Sequence, residues 1–197
     1  MKLTKKKIMI TFGAIAGAIA VVGIVFGILG YWPIAFVGYS PITYNAFKEQ
    51  TLIADRFYAV SLQVSGQNMD LMKSGAVIKD LQRTALDALV EQLLIERELD
   101  RRFKSDDLDR LVANKTGGID LNSDEIKKGT SLLYGLTVDE FKREILVPKA
   151  KQELLEGNML LNDGGTFNDW LTRQKRSASV AVFVPGLRWD GSEVVVK

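Results

Sequence analysis

Apolar and polar positions divide the chain into two unequal parts. From Ile8 to Phe47 there is no charged residue, and Ile8 to Gly30 is apolar almost throughout. A helix of that length spans about 30 Å of hydrocarbon. Tyr31 and Trp32 follow the run as interfacial aromatics often do, and Pro33 is a natural stop for the helix. The pattern predicts a transmembrane anchor over 8–32, preceded by a basic segment, 1–7, and followed by a domain over 33–197. A cleaved signal peptide is the rival. Ala18-Ile19-Ala20 resembles a cleavage site, but apolar residues continue well past Ala20, longer than a usual signal-peptide core.

Beyond the anchor, helical periodicity dominates. Val37-Gly38-Tyr39-Ser40-Pro41-Ile42 reads as extended, because Pro41 biases Ser40 away from helix. Thr43 is a good N-cap for a helix from Tyr44 to about Val64, with Phe47, Ala54, Phe57, Tyr58 and Leu62 near helical spacing. Ser65 to Asn68 interrupts it, and Met69, Leu71 and Met72 precede Gly75. The strongest pattern runs from about Val77 to Phe103. There Ile78, Leu81, Ala85, Leu89, Leu93 and Leu99 lie near one stripe. Ser105 is expected to cap a shorter helix, and Ser123 another that closes near Gly135. Thr137 and Glu140 form a capping-box pattern. The helix they open runs to about Leu161, with a kink or break expected at Pro148. Asn162 to Gly165 is a linker, and Thr166 caps a last helix through Phe167, Trp170 and Leu171. Ser179–Val184 and Glu193–Val196, with a turn signal at Asp190-Gly191, predict a β-hairpin to which the segment near Ile42 is a candidate third strand. The expected fold class is mainly α: one N-terminal membrane helix, then a helical domain with a small C-terminal β-hairpin.

Charge sharpens the membrane reading. The chain has 26 basic and 24 acidic residues. Lys2, Lys5, Lys6 and Lys7 all precede the apolar run, so the remainder is slightly acidic and the pI near 8.7 is largely an N-terminal effect. Lysines before the run and none soon after it place the N-terminus in the cytoplasm and the main domain outside, periplasmic or at the cell surface. No basic stripe interleaved with aromatics points to nucleic acid. Gly13 with Gly17, and Gly23 with Gly27, are small-xxx-small pairs that would let two anchors dimerise, although glycine is common in membrane spans generally.

The chain contains no cysteine and no histidine. That excludes thiol nucleophiles, disulfides, Ser-His-Asp triads and zinc sites built on those ligands. The carboxylate pairs Asp106-Asp107, Asp124-Glu125 and Asp139-Glu140 all fall in predicted first turns, where they complement the helix dipole. Asp120, Asn122 and Asp124 alternate as in a calcium loop, but lack its glycine and its distal bidentate glutamate. Gly117-Gly118 and Gly164-Gly165 lack the Lys-Ser/Thr of a phosphate loop. No metal or other cofactor is expected.

Several segments resemble the N-terminal chaperone domain of the SurA family, shared by PrsA-like and PpiD-like foldases. Val37-Gly38-Tyr39-Ser40-Pro41-Ile42-Thr43 is similar to that family's Val-Asn-Gly-x-Pro-Ile-Thr strand and cap. Ala85 to Leu94 is similar to its Val-Leu-Asp-x-Leu-Ile-x-x-x-Leu-Leu helix, and Ser105 to Asp109 to its Ser-Asp-Glu-Glu-Val-Asp step. Leu133 to Phe141 resembles its Gly-Leu-Thr-x-x-Glu-Phe helix start. The resemblance covers roughly residues 36–184 and implies a chaperone-like protein that binds unfolded or newly exported polypeptides. The family usually carries a parvulin prolyl-isomerase domain, often inserted near the position of Asn162 to Gly165. Here only a short linker stands there and no histidine is available, so isomerase activity is not carried over. Phe57, Tyr58, Met69 and Met72 are the candidate peptide-binding residues, since Met and aromatic surfaces adapt to many sequences. The competing reading of the same four places them in the core, as helical periodicity predicts. An envelope scaffold with one specific partner is the alternative function, and a prolyl isomerase the third.

Overall fold

The computed structural model describes residues 30–197. The basic segment, the expected anchor up to residue 29 and the glycine pairs lie outside the described residues. Among the described residues no helix is long and apolar enough to cross a membrane.

The described residues are mainly helical, with two small antiparallel sheets. Strand β1 (Pro33–Val37) turns at Gly38 and Tyr39 into β2 (Ser40–Thr43). Gly38 has φ 56°, and Arg97 donates a hydrogen bond to the Val37 carbonyl beside it, which fastens the turn to the longest helix among the described residues. Thr43 caps α1 (Tyr44–Val64) by accepting from the Ala46 amide. A 3-10 turn, Met69–Lys73, leads into α2 (Gly75–Arg102). Then come α3 (Ser105–Gly117), α4 (Asp124–Tyr134) and the short α5 (Val138–Phe141). A π-helical stretch, Lys142–Leu146, joins α5 to α6 (Val147–Asn162). Asp163 to Thr166 connects α6 to α7 (Phe167–Ser177), and β3 (Val180–Val182), β4 (Leu187–Trp189) and β5 (Val194–Val196) end the chain.

Several local expectations hold. Ser123 accepts from the Ile126 amide to cap α4, Gly135 closes that helix at φ 70°, and Thr137 with Glu140 forms the full capping box. The disturbance expected from Pro148 lies one turn earlier. A proline has no N–H, and its ring clashes with the carbonyl four residues back. The helix widens accordingly, so that the Val147 amide bonds to Lys142, five residues before it.

Three expectations are corrected. Ser105 does not cap α3: Lys104 occupies the cap position, and no side chain caps there. Asp106 and Asp107 in the first turn supply the negative charge that the helix start favours. The predicted hairpin partners are also different. Val180–Val182 pairs with β1, giving the order β2-β1-β3, while Val194–Val196 pairs with β4 across the Asp190-Gly191 turn. The cause is a second turn at Pro185-Gly186, where Gly186 has φ 79° and Leu187 donates back to Val184. Finally, the buried stripe of α2 is rotated from the expected one. Ala85, Leu86, Val90, Leu94, Ile95 and Leu99 are buried, whereas Ile78 is 43% exposed.

That rotation follows from what surrounds α2. One core joins its middle to both sheets and to Phe47 of α1. A second joins Ile95 and Leu99 to α3, α6 and α7 through Leu108, Leu155, Met159, Phe167 and Trp170. A helix packed on several sides buries more than one stripe, which a single-stripe reading misses. Lys175 locks the arrangement. Its ammonium reaches Asp87 at 2.9 Å and Glu91 at 2.8 Å, and Asp87 also accepts from the Val194 amide at 3.0 Å.

Candidate functional site

Helix α4 is amphipathic, yet of its residues only Thr130 is fully buried. Leu132 remains 62% exposed and Leu133 39%. The helix lies along the outer side of α1, where Arg56 donates to the Leu132 carbonyl at 3.3 Å. That bond satisfies one of the carbonyls that a helix end leaves open, and it brings a cation to the negative end of the dipole. Gly135, in left-handed backbone, then lets the chain turn past the Arg56 side chain.

Along α1, where it meets α4, α2 and α5, the surface forms a series of shallow concavities. One, of about 500 Å³, is lined by Ala59, Val60, Val64, Met69, Leu132 and Leu133, with Arg56 at its edge. The next, of about 310 Å³, is bounded by Ile53, Ala54, Phe57, Ala85, Ala88 and Tyr134. A third, more polar, shares Ile53 and Tyr134 and extends past Leu52 to Lys48, Glu49 and Glu140. Phe57 stacks on Tyr134 with centroids 5.7 Å apart, and Tyr134 in turn meets Phe141. The strip therefore has a stiff aromatic middle and an aliphatic end containing a methionine.

The candidate residues divide on this surface. Phe57 is 50% exposed and Met69 45% exposed, and they line two neighbouring concavities. Tyr58 and Met72 are half-buried and line neither of these two. None of the four belongs to the buried core. The structure adds Leu132, Leu133 and Tyr134 of α4. The signal for them was present in the run Leu132-Leu133-Tyr134-Gly135, but it reads equally as the core side of a helix.

The ionisable groups bear on structure. Backbone and hydroxyl hydrogen bonds from Thr137 hold the Glu140 carboxyl below its usual range, as its capping role requires. Each of the three paired-carboxylate motifs sits in a first helical turn. Asp120 accepts from the Asn122 amide in a local turn. Among the described residues no acidic group of three or more is arranged to hold a metal ion. Adjoining the aromatic concavity, with which it shares Gln50 and Ala88, a polar recess is lined by Gln92 and Glu96 of α2 and by Gln152 of α6. Its Lys151 is tied to Glu96 at 2.7 Å.

Comparison of the chain with family models, curated proteins and solved structures found no match.

Proposed function

We propose that this is a membrane-anchored, extracytoplasmic chaperone-like protein that binds unfolded or newly exported polypeptides without catalysis. The observation that carries the reading is the half-exposed apolar strip along α1 and α4. An amphipathic helix ordinarily buries its apolar face. Here Leu132, Leu133 and Phe57 stay in reach of solvent although the domain has two well-filled cores. Shallow concavities with a stacked aromatic pair and a methionine suit short apolar segments of varied sequence better than one fixed shape. Binding would be passive, driven by burial of apolar side chains.

The apolar run before Gly30 supports the anchor. The order of extended lead-in, capped helices and C-terminal strands supports a SurA-like domain that lacks the parvulin module. On this reading the bilayer is a partner through residues 8–32, and exported chains are the clients.

The test uses the full chain in nanodiscs. It should slow aggregation of a chemically unfolded client, and V64S/L132S, which changes two strip residues that are 83% and 62% exposed, should lose most of that effect while keeping its melting temperature. Absence of both aggregation suppression and crosslinks to exported peptides would sink the proposal. A single stoichiometric crosslinked partner in cells would replace it with the scaffold reading, and catalysis of proline-limited refolding with the isomerase reading.

A further inference from the structure

The domain has no slack at the end of the apolar run. Gly30 is buried at φ 72°, and its carbonyl accepts from the Asn45 amide at 2.9 Å. The Trp32 carbonyl accepts from the Tyr44 amide at 3.0 Å. These bonds satisfy two of the amides that the start of α1 leaves without helical partners. They also bind the chain to the domain directly where the apolar run ends. The Trp32 ring stacks on Tyr44 with centroids 4.7 Å apart and planes 15° from parallel.

The side chains at this junction are aromatic and open to solvent. Tyr31 is 51% exposed, Trp32 43% and Tyr44 37%. Lys48 follows Tyr44 by one helical turn on the same face and is exposed. Tyr and Trp with an apolar body and a polar tip are favoured at the headgroup level of a bilayer, and a lysine just beyond them reaches lipid phosphate. Three such rings around the first backbone bonds after the apolar run are chemically matched to a lipid surface.

We propose that Tyr31, Trp32 and Tyr44 form a collar that lies in the headgroup layer and fixes the orientation of the domain on the membrane. The inference rests on the anchor reading above and goes beyond it. A tethered domain on a loose linker would tumble, whereas a collared one presents α1 in a set direction. The client strip then begins near the membrane at Leu52 and ends with Val64 and Met69. The separation of those ends along α1 is about 18 Å, at 1.5 Å rise per residue.

The chain has three tryptophans, of which Trp170 is only 7% exposed and Trp189 is half-buried. Full-length protein is reconstituted in phosphatidylcholine vesicles containing lipid brominated either near the glycerol end of the acyl chain or near its terminus. Wild type should lose part of its tryptophan emission, more with the shallow bromines than with the deep ones. W32F should lose that quenchable part and keep the remainder. W170F/W189F isolates the same component, and W32F against wild type gives it by difference should that variant not fold. Carbonate-resistant sedimentation with the vesicles reports the anchor separately. Stable insertion with an unquenched Trp32 component overturns the collar and leaves the anchor standing. Failure to sediment with vesicles overturns both.

Discussion

Replacing Lys175 with methionine removes the cation shared by two carboxylates and keeps most of the side-chain volume. The Lys175 side chain is 12% exposed, Asp87 16% and Glu91 34%. Breaking a buried pair by deleting one partner costs about 3–5 kcal/mol, because the remaining charge is stranded. Glu91 retains access to water here, so the low end applies, about 3 kcal/mol. For a domain of this size that lowers the Tm by about 6–12 °C, at 2–4 °C per kcal/mol. D87N keeps an acceptor for the Val194 amide but loses the charge, so it should cost less. K175M/D87N should cost less than the sum of the two single changes, by about 1–3 kcal/mol, because both remove one interaction. Burial pulls the Lys175 pKa down, but hydrogen bonds to Asp87 and Glu91 outweigh it and the net shift is upward. A raised lysine pKa means stability that is complete below about 10.4 and is lost as pH rises through the folded value. Wild type should thus lose its advantage over K175M in that alkaline window. The assay is near-UV circular dichroism on the full chain in mild detergent, by heating at several pH values. A K175M cost below about 1 kcal/mol, or strict additivity with D87N, would refute the reasoning.

Three further outcomes are expected. Arg102 bonds to Glu98, Asn158 and Asp163, joining the ends of α2 and α6. The carboxyl of Glu98 is held low first by Arg101 and then by Arg102, and that of Asp163 by Arg102. Depressed carboxylate pKa values give stability that is present above the ordinary range, about 4, and drains as pH falls through the folded values. The Tm gap between wild type and R102M should therefore narrow from pH 7 to pH 3. T137A removes the hydroxyl that accepts from the Glu140 amide and donates to its carboxylate, and should cost about 1 kcal/mol, with faster amide exchange confined to α5. G135A should cost about 1–2 kcal/mol through left-handed backbone alone, since the added carbon meets Arg56 at an ordinary 3.6 Å. A thermal melt checks both magnitudes, and no change in G135A would show that the turn relaxes.

The elements that were legible in the sequence are those with local causes. Thr43, Ser123, Thr137 and Thr166 each cap the helix they precede because a short oxygen-bearing side chain reaches an amide two or three residues on. Pro148 disturbs its helix through its own ring and missing N–H. The candidate site was legible only in part. Phe57 and Met69 were identified, but their neighbours Leu132, Leu133 and Tyr134 belong to another helix about 75 residues away in sequence, a separation that also divides the hydrogen-bonded Arg56 and Leu132. Whether an apolar residue is buried depends on what lies opposite it, and periodicity does not state that.

By itself the sequence determined a long uncharged apolar run behind four lysines, a mainly helical remainder, and the chemistry that a chain without cysteine or histidine cannot perform. The tertiary structure decided which strands pair, which stripe of α2 is buried, and that Lys175 meets Asp87 and Glu91 from 88 and 84 residues away. It also decided that α4 leaves its leucines in the open and that the chain is fastened to α1 directly after the apolar run. The division has one physical reason. Caps, turns and dipoles act over a few residues, whereas burial, sheet pairing and ion pairing depend on atoms that only folding brings within a few ångströms.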